Sequence, residues 1–364
     1  MHTHRPGWIS RSAEDRLEDT MKSLRLRILF SVWALVVLSA CGGAPSGTSN
    51  TATPAVSVPS AIRIGFILAT EQEERYQRDK KAFQEAARAE GAEVIFLSSN
   101  NDEATQRANV ESLLARNVSV LVVQPVNSDN AGVFVEKAHS KGIPIVAYDR
   151  MINHPNLDYY AGQNSAEVGR LQAEAALEWL RKRNESGVAL ILSGQQGHSV
   201  AEEITRANIA VLKAAGVPIA AQQYHDAWGT DQALATAENQ LVRNPRINVI
   251  LCNNSGLARG AVQAVGKAGR SGEVFIAGAD ADKANIEYLL SGEQQLEIYK
   301  DEITLAHTAA KLAAALARGT VPEPTSYTDY KDARHIKTIL TPVKPVTREN
   351  YREIVVEAGP RYEL

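Results

Sequence analysis

The segment IRIGFIL at residues 62–68 decides the fold class, because it opens a regular alternation of strands and helices. It is a continuous apolar run bounded by turn residues, which is typical of a strand buried on both faces. The sequence predicts a helix over 72–90 that ends at Gly91, followed by the strand EVIFLSS at 93–99. Short connections between apolar strands and helices indicate a parallel sheet with right-handed crossovers.

The alternation continues along the chain and divides into two series. In the first series, predicted helices over 103–116 and 129–141 alternate with strands at 118–124 and 143–148. The second series starts with a helix over 165–183 and has strands at 188–193, 219–224, 247–252, 274–279 and 295–299, with a long alanine-rich helix over 301–318 at its end. We therefore predict an α/β protein with two doubly wound parallel-sheet lobes. Ligands of such sheets bind beyond the carboxyl ends of the strands, so the cleft between the lobes is the expected site.

Length and composition agree with two ordinary globular lobes. At about 150 residues per domain, 364 residues indicate two domains. Hydrophobic residues make up 44% and charged residues 22%, which excludes collagen-like, disordered and multi-span membrane classes. A net charge of −3 argues against a nucleic-acid partner, and two cysteines are too few for a disulfide scaffold.

The first forty-one residues have the features of a targeting segment. Residues 1–20 are polar and aperiodic, and we interpret them as a non-native extension before a start at Met21, although Met1 remains open as the start. Basic residues and the apolar run 28–38 then lead to Leu-Ser-Ala-Cys ending at Cys41. This order predicts a lipoprotein signal peptide over 21–41 with Cys41 lipidated. An ordinary secretory signal with a chance cysteine is the alternative.

Residues 42–60 follow as a segment without charge, dominated by Gly, Ser, Thr, Pro and Ala. Such a composition cannot bury enough apolar surface to order itself, so it predicts a disordered tether. The N-terminal segments together predict an extracytoplasmic protein that a lipid anchors to the membrane.

Polar and aromatic residues gather after the predicted strands. The set comprises Arg75, Tyr76, Gln124, Asp149, Arg150, Gln163, Asn164, Gln195, His198, Trp228, Asn253, Asn254, Asp280, Asp282 and Lys300. It contains no nucleophile with a matched base, which argues against an enzyme. Carboxylates, amides and cationic groups suit a neutral ligand with many hydroxyls. Tyr76 and Trp228, one from each lobe, are placed to stack on the two faces of a sugar ring.

Each of these residues also has a purely structural interpretation. Asp280 and Asp282 follow a strand, where such residues often cap helices or form turns. Arg75 fits a solvated helix face, and Trp228 fits a core.

Competing motifs are absent from the sequence: no dinucleotide or phosphate loop follows a strand, and the eight histidines are scattered, so we expect no cofactor and no metal. Cys252 lies in an apolar run and is expected to be an inert buried thiol.

The sequence resembles the periplasmic sugar-binding proteins of ABC transporters, and among them the D-xylose binders most closely. The resemblance covers nearly all of residues 61–364 and rests on segments that occur in the family's order: ERYQRDKKAF (74–83), VLVVQPVN (120–127), AYDRMIN (147–153), GAVQAV (260–265), GADAD (278–282), IYKD (298–301) and ILTPV (339–343). It implies two lobes that close on the ligand about a hinge, with crossovers near Asn164, Lys300 and Ile336.

The resemblance also implies lobe boundaries, partners and a ligand set. The N-terminal lobe would comprise 61–164 plus 301–336, and the C-terminal lobe 165–300 plus 337–364. The implied partners are a monosaccharide and the membrane subunits of an ABC permease, and the implied state is a monomer. The sugar contacts of the family fall here on Arg75, Tyr76, Asp149, Arg150, Asn164, Trp228, Asn254, Asp280 and Lys300.

Four departures from the family leave the exact pentose or hexose open. Tyr76 replaces a tryptophan, Ser255 replaces an acid, Asp301 replaces a proline, and the loop Gln195–Ser199 also differs. Other functions also remain open at this point. A sugar-sensing lipoprotein coupled to a receptor or kinase would look the same, whereas a transcription regulator of this fold needs a helix-turn-helix before residue 61, where the sequence shows a signal and a tether.

Overall fold

A computed structural model describes residues 61–357 of the chain. The expected N-terminal extension, signal peptide, lipidation site at Cys41 and tether over 42–60 lie outside the described residues, as do residues 358–364. Within the described range, no helix has the length and apolar character needed to cross a membrane.

The described residues alternate strands and helices much as the sequence predicts. The strands are β1 Ile62–Leu68, β2 Ala92–Ser98, β3 Val120–Val123, β4 Ile145–Tyr148, β5 Tyr159–Gln163, β6 Ala189–Ser193, β7 Ile219–Tyr224, β8 Val249–Cys252, β9 Phe275–Ala279, β10 Leu296–Lys300, β11 Ser326–Tyr330, β12 Ala333–Thr341 and β13 Val343–Val346. The α-helices are α1 Glu74–Ala89, α2 Glu103–Ala115, α3 Gly132–His139, α4 Ser165–Arg183, α5 Ser199–Ala214, α6 Thr230–Arg243, α7 Ser255–Lys267, α8 Lys283–Ser291 and α9 Glu302–Ala317. A 3₁₀ turn at Asp226–Trp228 and a π-helical turn at Arg352–Val356 complete the set.

The strands form two sheets with the same internal order. The first sheet runs β11–β12–β5–β4–β3–β1–β2, and the second runs β13–β10–β9–β8–β6–β7. In both sheets the first strand of the series lies between the second and the third, so the direction of winding reverses beside it. The predicted fold class, two doubly wound parallel-sheet lobes joined by three crossovers, is confirmed.

Apolar residues explain why the sheets are covered on both faces. The four residues of β3, β4 and β8 are all buried, as expected of central parallel strands. The alanine-rich α9 packs against α1 and the first sheet, where small side chains allow close approach. The two lobes therefore have separate hydrophobic cores.

The chain passes between the sheets three times, after β5, after β10 and after β12. The third crossover differs from the expectation near Ile336, because β12 continues in the first sheet to Thr341, which pairs with Gln163. Pro342 then interrupts the strand, since it lacks the backbone N–H of a ladder, and β13 pairs with β10 of the second sheet. The boundary between the lobes in the C-terminal region therefore lies at Pro342.

Four strands are absent from the predicted series. β5 has the sequence YYAGQ, whose short length and glycine weaken the strand pattern. β11, β12 and β13 occupy the proline-containing tail, where alternating exposure replaces the continuous apolar pattern of buried strands. These strands widen the sheets, and β5 with β12 carries two of the three crossovers.

Candidate functional site: a cavity between the two lobes

A narrow cavity lies where the carboxyl ends of the two sheets meet. We call it the inner cavity. Eight of the nine residues that the sequence assigned to sugar binding line it, together with one that the sequence analysis did not single out. The lining residues are Glu73, Arg75, Tyr76, Asp149, Arg150, Trp228, Asn254, Asp280 and Lys300.

Arg75 connects carboxylates of both lobes at the bottom of the cleft. Its Nε lies 3.4 Å from Asp79 and its Nη2 lies 3.2 Å from Asp149, both in the first lobe. Its Nη1 lies 3.4 Å from Asp280 in the second lobe. Burial acts to lower the pKa of Arg75, but the three carboxylates outweigh burial and raise it well above its ordinary value. Arg75 is therefore a fixed, buried cation and not a solvated helix charge.

Asp149 is held as an ionised, oriented acceptor. Its Oδ1 accepts from Arg75, and its Oδ2 accepts from Nε2 of Gln124 at 2.9 Å. Burial acts to raise the pKa of Asp149, but the positive charges of Arg75, Lys300 and Arg150 lower it below its ordinary value. The carboxylate thus keeps its charge at neutral pH, with both oxygens already fixed in direction.

Arg150 and Trp228 both lie against the imidazole ring of His198. Arg150 donates to the Tyr76 hydroxyl and to the Pro125 carbonyl, each at 3.2 Å. Trp228 Nε1 donates to Nδ1 of His198 at 2.9 Å, and His198 Nε2 lies 3.4 Å from Arg150. Burial, and then the charge of Arg150, lower the pKa of His198 well below its ordinary value, so the ring is neutral and its Nδ1 accepts.

The Trp228 ring lies directly on Gly194, at the end of β6. A Cβ placed on Gly194 would come within 2.4 Å of the ring, so only glycine allows this approach. The backbone around the cavity is also unusual, since several residues that are not glycine have positive φ: Asp149 (61°), Ala227 (50°), Trp228 (57°), Asp280 (101°) and Ala281 (56°). Such conformations cost free energy and collect at binding sites, where the surrounding structure enforces them.

The second lobe supplies an amide and an ion pair to the cavity. Asn254 begins α7, where its side chain accepts from the backbone N–H of Leu257 at 2.9 Å. Asn254 thus caps a helix, and its amide also lines the inner cavity. Asp280 follows β9 and lies 2.6 Å from Nζ of Lys300, the last residue of β10. The two charges hold each other in a nearly dry site.

A buried carboxyl lies beneath these second-lobe residues. Oε2 of Glu297 accepts from the Ser255 hydroxyl at 2.9 Å and from the Ala281 N–H at 3.0 Å. Ser255 adjoins Asn254, and Ala281 adjoins Asp280, so one side chain ties both cavity-lining segments together. Burial raises the pKa of Glu297 to about 8. No sequence pattern distinguishes Glu297, because it alternates with apolar neighbours in β10.

Three other sequence expectations have plain outcomes. Asn164 is exposed and caps α4 by accepting from Glu167 N–H at 3.1 Å, and it does not line the inner cavity. Asp282 pairs with Arg259 at 2.9 Å instead of lining the inner cavity. Cys252 is buried, and burial raises the pKa of its thiol, in line with an inert side chain. In residues 61–357 no three His, Cys, Asp or Glu side chains are grouped to hold a metal ion.

Two contributors to the site could have been found from the sequence only in part. Asp79 lies four residues after Arg75, a spacing that places both on one helix face. Tyr148 donates to Asp79, and burial raises the pKa of Asp79 to about 7. Glu73 lies in the acid-containing stretch TEQEER, where no periodicity distinguishes it from its neighbours. Its position in the cavity depends on how the chain turns into α1.

The two lobes also touch directly at one edge of the cleft. The contacts join the β6–α5 loop and the start of α5 to the first lobe: Gly197 O with Ser128 N at 3.0 Å, Ser199 Oγ with Met151 N at 2.8 Å, and Gln195 Oε1 with Asn101 Nδ2 at 2.8 Å. The cleft is therefore closed, with residues of both lobes within hydrogen-bonding distance.

Charge balance around the inner cavity defines the kind of ligand that fits. Three acids and three bases line it: Glu73, Asp149 and Asp280, and Arg75, Arg150 and Lys300. A charged ligand would leave an excess of one sign in a buried site, which is costly. A neutral ligand with several hydroxyls can bond to both signs at once. The fold and the cavity together define a two-lobed binding protein for a small polar molecule.

Comparisons with known proteins give the family. The family described as "Periplasmic binding protein domain" matches residues 64–320. The D-xylose-binding periplasmic protein of Escherichia coli is 32% identical over 319 residues, which cover 86% of this chain and 94% of that protein. The multiple sugar-binding periplasmic receptor of Rhizobium radiobacter is 28% identical, with 89% and 97% covered. This chain belongs to the periplasmic binding proteins, and specifically to the sugar-binding proteins of ABC transporters.

A solved structure agrees with this assignment. The carbohydrate transporter solute-binding protein of Chloroflexus aurantiacus, in complex with D-glucose, superposes with a TM-score of 0.73 at 27% identity, covering 82% of this chain and 96% of the other. The matched relatives are transport and binding proteins, which confirms that the chain is not an enzyme. As relatives of this family are periplasmic, the protein is extracytoplasmic.

Proposed function

We propose that the protein captures a single pyranose in the inner cavity and delivers it to an ABC permease, with D-xylose as the first candidate. The D-xylose-binding relatives at 32% and 29% identity support a sugar whose ring hydroxyls are arranged as in D-xylose. The lipid anchor predicted at Cys41 would keep the protein beside the membrane that holds the permease.

The observation that carries this proposal is the convergence of both lobes on one small cavity. The first lobe contributes Arg75, Asp149 and Arg150, whose directions are fixed before any ligand arrives. The second lobe contributes Asp280 and, through the 3₁₀ turn, the Trp228 ring. Preorganised donors and acceptors avoid the ordering cost that flexible side chains incur on binding.

Rough energetics agree with physiological capture of a sugar. A hydrogen bond to a charged group contributes about 1.5–3 kcal/mol net. A few such bonds, with stacking on Tyr76 and Trp228, offset the cost of association and give about −8 kcal/mol, the value of micromolar binding. Micromolar binding therefore requires no hydrogen bond stronger than this ordinary range.

Closure of the lobes follows from the same contacts. The ligand would bind both lobes and favour the closed state by its differential affinity for that state. The direct contacts at Ser128, Met151 and Asn101 would lower the remaining cost of closure. The three crossovers, at the ends of β5, β10 and β12, are the segments about which the lobes would rotate.

A ligand screen tests this proposal. We would purify residues 61–364 and measure melting temperature with D-xylose, D-ribose, L-arabinose, D-glucose and D-galactose, since a ligand of the folded state raises it by mass action. The expected result is a rise with D-xylose and titration with one site per chain by calorimetry. If none of these sugars raises the melting temperature, the proposal is contradicted.

A further inference from the structure

A second, larger pocket adjoins the inner cavity, and we call it the outer cavity. The two share part of their lining, namely Glu73, Arg75, Trp228, Asn254 and Asp280. The outer cavity extends from these residues to Thr230, Gly256 and Arg259 of the second lobe. A ligand in the inner cavity can therefore extend a substituent into open space without displacing the protein.

Glu73 lies on the boundary between the two cavities and is not used by the fold. It occupies the position before α1, where a side chain often caps the helix, yet its carboxylate makes no capping hydrogen bond. Its Oε2 is buried and has no hydrogen-bond partner in the described part of the chain. Buried polar atoms are nearly always paired, so this oxygen calls for an explanation.

Two cations whose charges act on Glu73 already have other partners. Arg75 contacts Asp79, Asp149 and Asp280, and Arg150 donates to Tyr76 and to the Pro125 carbonyl. Burial raises the pKa of Glu73, and the charge of Arg150 only partly opposes that rise. The protein thus places a carboxylate in the cleft and leaves its Oε2 without a donor, which is what recognition of a ligand hydroxyl requires.

We propose that Glu73 is a specificity-determining residue, which accepts a hydrogen bond from a ligand hydroxyl that projects from the ring toward the outer cavity. A pentopyranose such as D-xylose carries hydroxyls on the ring only. D-Glucose has the same ring hydroxyls and adds a hydroxymethyl group, whose hydroxyl reaches beyond the ring. Among sugars with a substituent at carbon 5, Glu73 then favours one whose substituent ends in a hydroxyl over one whose substituent ends in a methyl group. This inference rests on the proposed function and specifies the substituent that the site selects.

Three sugars separate the contributions of size and hydrogen bonding. D-Xylose has no substituent at carbon 5, 6-deoxy-D-glucose has a methyl group there, and D-glucose has the hydroxymethyl group. Titration calorimetry on the unmodified protein should show D-glucose binding at least tenfold more tightly than 6-deoxy-D-glucose, which is the value of one hydrogen bond to a charged acceptor. Equal or weaker binding of D-glucose would overturn the proposal.

A pair of variants assigns the effect to Glu73. Glu73→Leu keeps much of the side-chain volume and removes the acceptor, so the ratio of D-glucose to 6-deoxy-D-glucose affinity should fall to about one. Glu71→Leu is the matched control, because Glu71 pairs with Lys80 and lines neither cavity. A ratio that stays tenfold in Glu73→Leu, or falls equally in Glu71→Leu, would overturn the assignment.

The design separates this inference from the proposed function. If none of the three sugars and no other sugar of the screen binds, the proposed function fails. If D-xylose binds and the ratio between D-glucose and 6-deoxy-D-glucose is one, the proposed function stands and the role of Glu73 is refuted. Should Glu73→Leu fail to fold, Glu73→Gln serves instead: its neutral carbonyl is a weaker acceptor, and the ratio should fall at least threefold; an unchanged ratio would refute the role of Glu73.

Discussion

Replacement of Asp149 by asparagine is the sharpest perturbation of the inner cavity. Asp149 has a left-handed backbone, with φ of 61°, and asparagine is among the few residues that adopt this conformation readily. Asp149→Asn therefore keeps the backbone and the side-chain size, removes the charge and replaces one of the two acceptor oxygens by an NH2 donor. Alanine would add a backbone penalty, so its effect on binding would be harder to interpret.

The magnitude follows from the bonds that the charge strengthens. Asp149 accepts from Arg75 and Gln124, and in the proposed complex it also accepts from a sugar hydroxyl. A bond to a charged group contributes about 1.5–3 kcal/mol, against about 0.5–1.5 kcal/mol for a neutral pair. Loss of the charge also weakens the bond that holds the Arg75 side chain in position. Together these effects should weaken sugar binding by about 1.4–3 kcal/mol, which is roughly ten- to hundredfold in the dissociation constant.

Titration calorimetry with the sugar that gives the largest thermal shift measures this loss. Asp158→Asn is the matched control, because Asp158 also accepts hydrogen bonds in the first lobe, from Ile145 N–H at 2.8 Å and from His139, and lies outside the cavity. The control should lower stability without changing sugar affinity. If Asp149→Asn folds and its affinity for the sugar stays within threefold of that of the unmodified protein, the role given to Asp149 is refuted.

Three further predictions test other parts of the account. Trp228→Ala should weaken sugar binding at least tenfold by calorimetry, whereas Trp179→Ala, which removes a second-lobe ring packed on Phe275, should not; equal effects would contradict stacking in the cleft. Gly194→Val should also weaken binding, because its Cβ would displace the Trp228 ring, and an unchanged affinity would show that the ring position is unimportant. Finally, burial raises the pKa of Glu297 to about 8 from an ordinary value of 4.5, so the folded protein binds more protons than the unfolded chain between these values. The free energy of unfolding should therefore fall as pH rises from about 5 to 8, and this group contributes up to about 1.4 kcal/mol per pH unit to the fall. Denaturant titrations at pH 6 and pH 8 should show a smaller fall in Glu297→Gln than in the unmodified protein. Equal falls in the two proteins would contradict the assignment.

Much of the fold is predictable because its central strands are buried on both faces. Segments such as IRIGFIL become β1 within the predicted limits, since a continuous apolar run admits few other structures. The strands β11, β12 and β13 escape prediction for the opposite reason. β11 and β13 are edge strands and β12 lies next to an edge strand, so partial exposure mixes polar and apolar residues, and prolines interrupt the pattern.

The site is predictable to the extent that strand ends determine it. Asp149, Asp280 and Lys300 meet because parallel strands bring their carboxyl ends to one edge, and this follows from the order of elements. Asn164 obeys the same rule and yet faces solvent, because its side chain caps α4. Rules based on strand ends give the location of a residue, and the direction of its side chain needs the tertiary structure.

Glu73 and Glu297 show what the sequence cannot supply. Glu73 reaches the cavity because the chain turns immediately before α1, whereas Glu71 in the same stretch does not line it. Glu297 lies in a buried strand, where its carboxyl supports segments more than fifteen residues away along the chain. Both depend on contacts between distant parts of the chain, which no local pattern encodes.

A crystal structure of residues 61–364 grown with D-xylose would show whether both lobes enclose the ligand. We expect one pyranose per chain between the lobes, with Tyr76 and Trp228 on its two faces and Asp149 and Arg150 bonded to its hydroxyls. A sugar bound elsewhere on the protein, or one that contacts a single lobe of a closed molecule, would contradict it.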